Sequence, residues 1–346
     1  MRAAVYEAFK GPITIQNIPD PTPKNNGVIV KVSATGLCRS DWHGWMGHDS
    51  DIELPHVPGH ELAGIIVELG KDVKSFKVGD RITVPFVCGC GVCGECQSGN
   101  QQVCDNQSQP GFTHHGSFAE YVALDYANTN LVKLPEEIDD ITAAILGCRF
   151  ITSFRAIVAQ GKVREDQFVA IHGSGGIGLS AIMIANALGA KTIAIDINKD
   201  NLQFAKDLGA TFTINANDNN SVVDQIKAYS RGGVHLSMDA LGSQETCFNS
   251  ISCLKKRGKH IQVGLMTGDH QHPKTPMNIV LANELEIIGS HGMQAHKYPE
   301  MLQMIVEGKL EPKKLVSKTI SLEEGAIALP KMNTFTNKGV LVINSF

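Results

Sequence analysis

Four cysteines within the segment "CGCGVCGECQSGNQQVC" are spaced as metal ligands commonly are. They are Cys90, Cys93, Cys96 and Cys104, in the pattern C-x2-C-x2-C-x7-C. A loop this short can wrap four thiolates around one zinc ion, and four protein ligands leave no position for water or substrate. The sequence therefore predicts a structural zinc site. Cys88 could compete as a ligand, although only one residue separates it from Cys90, which is too tight for both to ligate one tetrahedral ion. The alternative for the whole cluster is free thiols on a loop, which would invite oxidation.

A second group of residues predicts a nucleotide site. In "VAIHGSGGIGLSAI", Gly173, Gly175 and Gly178 form G-x-G-x-x-G directly after an apolar strand pattern and directly before a helix pattern. A helix N-terminus offers free backbone N–H groups to a pyrophosphate, and the missing side chains let the phosphate approach. Asp196 ends the next predicted strand, where a carboxylate would accept hydrogen bonds from an adenosine ribose. A dinucleotide site is the prediction, and a tight turn without a ligand is the alternative.

Three further residues are candidates for a reactive metal site. They are Cys38 in "GLCRSDWH", His60 in "VPGHELAG" and Cys148 in "LGCRF". A set of two cysteines and one histidine leaves one position open, as in a catalytic zinc site. Spacing alone does not bring the three together. Each also has a plainer interpretation, the cysteines as small buried hydrophobic residues and the histidine as a hydrogen-bonded core residue.

The elements that must position these residues fall into two patterns. Short alternating strands broken by Gly and Pro, such as "GVIVKVSATG" and "DRITVPF", fill the chain up to about residue 150 and indicate a mostly β domain. From about residue 167, buried strands alternate with helices, which indicates a doubly wound parallel sheet of the α/β class. We expect residues 291–346 to return to the first domain. The predicted domains are therefore 1–149 with 291–346, and 150–290.

Composition excludes several classes of partner. The 346 residues carry 31 basic and 35 acidic side chains, and no basic block is present that would bind nucleic acid or an anionic membrane. The N-terminus lacks the apolar core of a signal peptide, and no run approaches the ~18 apolar residues of a membrane span. We expect a cytoplasmic protein. Nine cysteines, an odd number, in a reducing compartment favour metal ligation over disulfides.

Three motifs, in this order along the chain, carry a resemblance to a known family. "GHELAG" resembles a G-H-E-x-x-G segment, the four-cysteine loop resembles a structural zinc lobe, and "GSGGIG" resembles a coenzyme turn. From its first strand to its last, the chain resembles the zinc-dependent medium-chain alcohol dehydrogenases. The resemblance implies a Rossmann domain, a GroES-like catalytic domain, two zinc ions per chain and the coenzyme NAD.

The resemblance also assigns roles to Cys38 and to the residues around it. It makes Cys38, His60 and Cys148 the catalytic zinc ligands, and Glu61 an acidic neighbour that ligates transiently. The segment "CRSDWH" becomes one wall of the active site. Its members would be Arg39 toward the coenzyme pyrophosphate, Ser40 on the substrate oxygen, Asp41 beside the metal ligands and His43 as the outer end of a proton relay.

The same resemblance gives the coenzyme contacts. They would be Arg39, Thr152, Gly173, Gly175, Gly176, Ile177, Gly178, Asp196, Lys199, Val263, Gly264 and Leu265. Thr152 would contact the nicotinamide side, and Val263 to Leu265 would meet the carboxamide. Asp196 predicts NAD rather than NADP, because a 2′-phosphate would meet its negative charge. Lys199 lies within reach of the same ribose.

The implied function is the reversible oxidation of a small alcohol to an aldehyde or ketone, in a homo-oligomer for which a tetramer is favoured over a dimer. A polyol or other secondary-alcohol dehydrogenase shares every motif. Two further alternatives are a zinc-free quinone or enone reductase and a nucleotide- or redox-sensing protein. Trp42, Trp45 and Phe86 line either the substrate pocket or the core. His114 and His115 are expected to be solvated loop residues.

Overall fold

A computed structural model describes residues 1–218, 221–334 and 339–346. The chain divides into two units. The first comprises Met1–Ile151 and Gly292–Phe346, and the second comprises Thr152–His291.

The strands of the described residues are numbered in chain order. They are β1 (Arg2–Tyr6), β2 (Ile13–Asn17), β3 (Val28–Gly36), β4 (Glu61–Leu69), β5 (Arg81–Thr83), β6 (Tyr121–Leu124), β7 (Val132–Lys133), β8 (Phe168–His172), β9 (Lys191–Asp196), β10 (Phe212–Asn215), β11 (Val234–Asp239), β12 (Leu254–Gln262), β13 (Glu286–Gly289), β14 (Val316–Ser321) and β15 (Val340–Ser345).

The α-helices are numbered in the same way. They are α1 (Arg39–Trp45), α2 (Gly94–Gln97), α3 (Ala127–Asn130), α4 (Asp140–Ala144), α5 (Ile151–Phe154), α6 (Gly176–Ala187), α7 (Lys199–Asp207), α8 (Val222–Tyr229), α9 (Gln244–Ser252), α10 (Met277–Asn283), α11 (Tyr298–Val306) and α12 (Leu322–Ala328). Wide π-type turns span Leu146–Phe150 and Arg155–Gln160. Among the described residues, none of the helices combines the length and apolarity that spanning a bilayer requires.

The second unit is built on a six-stranded parallel sheet in the order β10-β9-β8-β11-β12-β13. The order reverses between β8 and β11, and in sheets of this topology right-handed crossovers normally place helices on both faces. Burial on both faces explains the nearly continuous apolar runs of its central strands, such as "FVAIH" in β8. The predicted doubly wound sheet is confirmed.

The first unit is mostly β, as predicted. Its larger sheet has the order β14-β15-β3-β4-β5-β7, with β6 paired to β3, and β1 and β2 form a separate antiparallel pair. The long pairing of β3 with β4 places Gly36 opposite Glu61. The C-terminal strands β14 and β15 join this sheet. Consequently the segment that follows β3 and the segment that precedes β4 lie at the same end of this strand pair.

Candidate functional site

Asp41 organises the start of α1 and the segment before β4. Its Oδ2 accepts a hydrogen bond from the backbone N–H of Cys38, the N-cap residue of α1, at 2.9 Å. Its Oδ1 lies 3.0 Å from the backbone nitrogen of Gly59 and 2.7 Å from Nδ1 of His60. The carboxylate is buried. One side chain therefore fixes both a cysteine and a histidine that are far apart in sequence.

The ring of His60 presents its other nitrogen without a protein partner. The hydrogen bond to Asp41 makes Nδ1 a donor and orients the ring, so Nε2 is the nitrogen that could bind a metal after it loses its proton. Nε2 is buried and has no hydrogen-bond partner among the described residues. Burial opposes the charged form of His60, but the nearby Asp41 and Cys38 outweigh burial and raise its pKa. An orphaned, oriented imidazole nitrogen is what a metal ion requires of a histidine ligand.

Cys148 reaches the same point from the wide turn Leu146–Phe150 that follows α4. At Gly147 a Cβ would lie only 2.7 Å from the carbonyl oxygen of Val84, so a glycine is needed for this backbone approach. The Gly147 carbonyl accepts a hydrogen bond of 2.8 Å from the backbone N–H of Phe86. This contact holds the turn beside the segment that follows β5.

The structure brings four buried side chains together at this point. One ligand atom from each lies within 4.8 Å of the others, and the set is Cys38, His60, Glu61 and Cys148. The Cys148 thiol, which donates toward Cys38, lowers the pKa of Cys38 well below its usual range despite burial. The same interaction, together with burial, raises the pKa of Cys148. Two sulfur donors and one imidazole nitrogen are a donor set that suits zinc.

Glu61 is held by a residue that the sequence analysis missed. Nε of Arg149 lies 3.0 Å from Oε1 and 2.9 Å from Oε2 of Glu61, and the backbone N–H of Arg149 donates to Oε1 at 2.8 Å. Burial opposes the charge of Arg149, but Glu61 and Cys38 outweigh it and raise the pKa of the guanidinium. Both carboxylate oxygens are thus engaged by a planar fork. The only signal in the sequence was the position of Arg149 directly after Cys148.

The remaining residues of "CRSDWH" lie along α1. Oγ of Ser40 is 3.8 Å from Sγ of Cys38. Nη1 of Arg39 donates to the backbone carbonyl of Met332 at 2.9 Å, and its guanidinium carbon lies 4.0 Å from the ring centre of Trp42. Ser40 therefore neighbours the cysteine ligand candidate, whereas Arg39 is fixed by contacts within its own unit.

His43 has a neighbour that the sequence analysis did not identify. Its Nδ1 lies 3.0 Å from Nδ1 of His48, and His48 is exposed whereas His43 is half-buried. Burial, together with the charges of Arg39 and His48, lowers the pKa of His43 to about 4. His43 is therefore neutral at neutral pH, and the outermost group of this pair is His48.

Aromatic residues surround the imidazole of His60. The ring centres of Phe86 and Phe112 lie 6.3 and 5.1 Å from that of His60. Trp42 packs in a core cluster with Leu37 and Phe118. Trp45 packs against the same cluster, and its indole N–H donates to the carbonyl of Gly11 at 2.8 Å. Both tryptophans are thus core residues, while Phe86 and the unpredicted Phe112 pack beside the cluster of ligand candidates.

The four-cysteine loop closes on itself. The Sγ atoms of Cys90 and Cys96 are 4.0 Å apart and those of Cys93 and Cys104 are 3.6 Å apart. A zinc–sulfur distance of about 2.3 Å in a tetrahedron requires an edge of about 3.8 Å. The backbone N–H groups of Cys90 and Asn106 donate to Sγ of Cys104 at 3.2 and 3.3 Å, which favours a thiolate. The geometry fits a zinc ion with four protein ligands.

Three residues with no assigned role lie outside this loop's ligand set. Cys88 is buried in an apolar cluster, and burial raises the pKa of its thiol. His114 is not a solvated residue, because its ring nitrogens lie 3.0 Å from the Ala123 carbonyl and 3.0 Å from Oγ1 of Thr113. His115 is exposed, with its ring edge against His56.

The glycine turn of the second unit has the shape that a phosphate site needs. Gly173 has a φ of +94°, and a Cβ on Gly178 would lie 1.8 Å from the Gly173 carbonyl oxygen. These two positions therefore require glycine for the turn and for the close packing of α6. A Cβ on Gly175, the N-cap of α6, would meet open space. Gly176 and Ile177 begin α6, and the first backbone N–H groups of a helix have no partner within the helix.

Asp196 ties the glycine turn to the end of β9. Its Oδ2 accepts from the backbone N–H of Ser174 at 2.6 Å, and its Oδ1 accepts from that of Asn198 at 2.8 Å. A carboxylate has about four acceptor positions, so two remain for a ligand. Lys199 is exposed at the start of α7.

The other predicted coenzyme residues lie at separate places in the second unit. Thr152 is buried at the start of the unit, in α5. Val263, Gly264 and Leu265 follow the carboxyl end of β12, and Leu265 is exposed. The carboxyl ends of parallel strands are where ligands of such sheets bind.

Comparison with known proteins gives matches over both units. Residues 24–136 match the family described as alcohol dehydrogenase GroES-like domain, and residues 176–307 match the family described as zinc-binding dehydrogenase. The GroES-like part of the predicted fold class is thereby confirmed.

Relatives and solved structures agree with these matches. An alcohol dehydrogenase of Geobacillus stearothermophilus is 33% identical over 332 residues, which cover 94% of this chain and 93% of the relative. An NAD-dependent alcohol dehydrogenase of Sulfurisphaera tokodaii is 31% identical, with 99% of each chain covered. The solved alcohol dehydrogenase of Thermus sp. ATN1 superposes with a TM-score of 0.92 at 27% identity, with 100% of each chain covered. The resemblance seen in the sequence is confirmed, and the chain belongs to the zinc-dependent medium-chain alcohol dehydrogenase family.

Proposed function

We propose that this protein is an NAD-dependent alcohol dehydrogenase that interconverts a small alcohol and the corresponding aldehyde or ketone. The first unit would be its catalytic domain, for which the sequence predicts residues 1–149 and 291–346. The second unit would bind NAD, with predicted bounds 150–290. Each chain would hold two zinc ions, one catalytic and one structural.

The observation that carries this proposal is the buried, unpartnered Nε2 of His60 beside two cysteine sulfurs. Asp41 orients the imidazole, and Cys38 and Cys148 supply the sulfur donors. Three protein ligands leave one coordination position for an alcohol oxygen. In the arrangement described, Glu61 stays with Arg149, because both of its oxygens are engaged there, and the predicted transient ligation would require it to leave that pair.

The chemistry is divided between the bound groups and the chain. When bound, zinc acts as a Lewis acid on the substrate oxygen and NAD accepts the hydride. Ser40, next to Cys38, would receive the hydroxyl proton of the alcohol. His43 is neutral at neutral pH and can accept a proton, and its contact with the exposed His48 gives that proton a way to solvent. Phe86 and Phe112 would keep water from the reacting atoms.

The second zinc would stabilise the loop from Cys90 to Cys104 rather than take part in the reaction. Four thiolates close its coordination sphere. These thiols must stay reduced to bind metal, which supports a cytoplasmic location.

Asp196 supports NAD rather than NADP as the coenzyme. Two of its acceptor positions are used by the turn, and the remaining two would bind the adenosine ribose hydroxyls. A 2′-phosphate would meet this negative charge, so we expect kcat/KM to favour NAD by roughly a hundredfold or more. Kinetics with each coenzyme before and after Asp196→Ser test this role. A wild-type preference for NADP, or an unchanged preference in the variant, would remove Asp196 from it.

The second unit also supports the predicted homo-oligomer. The edge strand β13 and the neighbouring helix α10 expose large apolar side chains, with Leu281 82%, Met277 58% and Ile287 46% exposed. An apolar edge of this kind suits pairing with a second copy of the chain. A tetramer would need one further contact face. Light scattering of the wild type and of Leu281→Glu distinguishes monomer, dimer and tetramer.

A metal assay combined with coenzyme-linked turnover tests the whole proposal. The dehydrogenase should contain two zinc ions per chain and change nicotinamide absorbance with alcohols or aldehydes. A reductase of the same fold without zinc would contain none, and a sensing protein would bind coenzyme without turnover. A panel of primary, secondary, aromatic and polyol substrates then identifies the substrate class.

A further inference from the structure

A layer of polar side chains lies between the sheet of the second unit and helix α9. Ser237 and Asp239 on β11, His260 on β12 and Ser250 on α9 are all buried. Central strands of a parallel sheet normally present apolar residues to the covering helices. Buried polar groups are costly unless hydrogen-bonded, so a layer of this kind needs an explanation.

The polar side chains form one continuous chain of hydrogen bonds. Oγ of Ser237 lies 2.8 Å from Oγ of Ser250, which lies 2.8 Å from Nδ1 of His260. Nε2 of His260 lies 3.1 Å from Oε1 of Gln262. Nε2 of Gln262 then lies 3.1 Å from Oδ2 of Asp239 and 2.9 Å from the carbonyl oxygen of Gly264.

Chemistry fixes the direction of this chain. Asp239 and the Gly264 carbonyl can only accept hydrogen bonds, so the Gln262 amide must turn its NH₂ toward them and its oxygen toward His260. His260 must then carry its proton on Nε2 and accept at Nδ1 from the Ser250 hydroxyl. Burial lowers the pKa of His260, which keeps the ring neutral and able to do both. In the opposite orientation the Gln262 amide oxygen, an acceptor, would face the Asp239 carboxylate and the Gly264 carbonyl, which are also acceptors.

This series of hydrogen bonds ends at two loops at the carboxyl edge of the sheet. Oδ1 of Asp239 accepts from the backbone N–H groups of Leu241 at 2.9 Å and Gly242 at 3.0 Å. Gln262 connects this carboxylate to the carbonyl of Gly264 in the loop after β12. The Gln262 side chain therefore links the loop after β11 to the loop after β12, in addition to the hydrogen bonds that the backbone N–H groups of Val263 and Gly264 donate to the Asp239 carbonyl at 3.0 and 2.9 Å.

The two loops lie against each other and beside the glycine turn. A Cβ on Gly264 would lie 2.3 Å from the backbone nitrogen of Gly242, and a Cβ on Gly173 would lie 3.3 Å from Cβ of Leu241. Leu241 and Leu265, one from each loop, are 57% and 56% exposed. Two exposed leucines beside an anion-binding turn form an apolar surface where a dinucleotide ring can pack.

We propose that Gln262, oriented by His260, is a positioning residue that holds the loops 240–243 and 263–265 in the arrangement against which a ring of NAD packs. The proposal rests on the proposed function in that it takes NAD as the ligand. Gln262 need not touch the coenzyme, because it acts through the backbone of Gly264 and through Asp239.

The test is NADH binding to the purified, zinc-loaded protein, followed by nicotinamide fluorescence. Gln262→Met keeps the length of the side chain and removes every hydrogen bond, and should raise the Kd for NADH about tenfold while kcat at saturating NAD changes less than KM. Gln262→Glu should weaken binding at least as much, since a carboxylate cannot donate to Gly264 and repels Asp239. Ser250→Ala, which removes the donor to His260 together with the contact to Ser237, should give a smaller change in the same direction.

Asn186→Leu is the matched control. Asn186 is another partly buried amide of the same unit, with hydrogen bonds to Thr192 and Leu208 at the opposite end of the sheet. It should lower Tm and leave the Kd for NADH unchanged. If the Gln262 variants lower Tm as the control does and their Kd stays within twofold of wild type, Gln262 is structural only and the inference fails. If wild-type protein does not bind NADH, the proposed function itself fails.

Discussion

The two clusters of metal-ligating side chains in the first unit are built in opposite ways. The four-cysteine cluster comes from one short loop, with Cys93 partly exposed, and two of its sulfur pairs are 3.6 and 4.0 Å apart, close to the edge of a tetrahedron around zinc. The other cluster draws Cys38, His60 and Cys148 from three distant segments and is wholly buried. A local set can close around an ion with little help from the fold, whereas a non-local set exists only once the sheet has formed.

The difference extends to the groups around each cluster. Backbone N–H groups support the sulfurs of the loop. Charged side chains support the buried set, with Asp41 on His60 and Arg149 on Glu61. The first arrangement suits a stabilising ion, and the second suits an ion whose ligands must keep a defined orientation while a substrate is exchanged.

Replacing a ligand of the buried cluster should have the largest effect on turnover. Cys38→Ser or Cys148→Ser should lower kcat/KM by at least about 10³-fold, because Lewis-acid activation is worth several kcal/mol. Zinc content should fall from two ions to one, and circular dichroism should be unchanged. Cys247→Ser, at a buried cysteine of the other unit, is the control. A Cys38 variant with wild-type turnover and one zinc would show that the clusters have been assigned the wrong way round.

Asp41→Asn should have the next largest effect. All three partners of the carboxylate donate hydrogen bonds, and an amide has only one acceptor oxygen. We expect metal affinity or activity to fall about 10- to 100-fold, measured by zinc competition with a chelator and by kcat/KM. Asp125→Asn, at a buried aspartate paired with Lys24, controls for general destabilisation. Equal zinc affinity in the Asp41 variant and wild type would refute this role.

His43→Ala should lower kcat by about tenfold, since it removes a proton relay and leaves the metal ligands in place. Because the pKa of His43 is lowered to about 4, the relay works at all higher pH values and is lost only as pH falls through about 4. The wild-type pH profile should therefore show no break near 6.5 from this residue. Small buffer bases should restore part of the activity of the variant. The exposed His115→Ala is the control, and a loss that buffer does not relieve would point to a packing role for His43.

The smallest effect on turnover should follow from Cys93→Ser in the four-cysteine loop. Zinc binding at a closed site contributes to folding, so Tm should fall by roughly 10 °C, while kcat of the remaining folded protein stays close to wild type. Differential scanning fluorimetry and turnover at 20 °C, well below the transition, measure the two effects. A large loss of kcat with unchanged Tm would place this loop in the reaction and remove the contrast between the clusters.

The same contrast explains what the sequence could predict. The four-cysteine loop and the glycine turn each lie within one short segment, so residue type and spacing were sufficient to group their residues. Cys38, His60 and Cys148 are brought together by the pairing of β3 with β4 and by the turn after α4. The spacing of these residues in the sequence does not indicate that pairing. Only the family resemblance gathered them.

Side-chain partners were the least predictable part. Arg149 and Gln262 occur in segments that contain no recognisable motif. Their contacts depend on side-chain rotamers and on the carboxylates of Glu61 and Asp239, which are distant in sequence. The pKa of His43 could not be read from its sequence neighbours either, since burial is its main cause. The alternation of strands and helices, by contrast, follows from local hydrophobic patterning, and the doubly wound sheet was predictable from it.

Because of the wide turn Leu146–Phe150, the position of the Cys148 thiol depends on the number of residues between α4 and Cys148. Such a turn differs from an α-helical one by a single inserted residue. Deleting one residue between the end of α4 at Ala144 and Cys148 would close the turn and rotate the thiol by about 100° around the helix axis. Every side chain of the cluster would still be encoded, yet the sulfur would face elsewhere. Loss of the proposed metal site would therefore require no substitution of a ligand, because a three-base deletion in this turn would be sufficient.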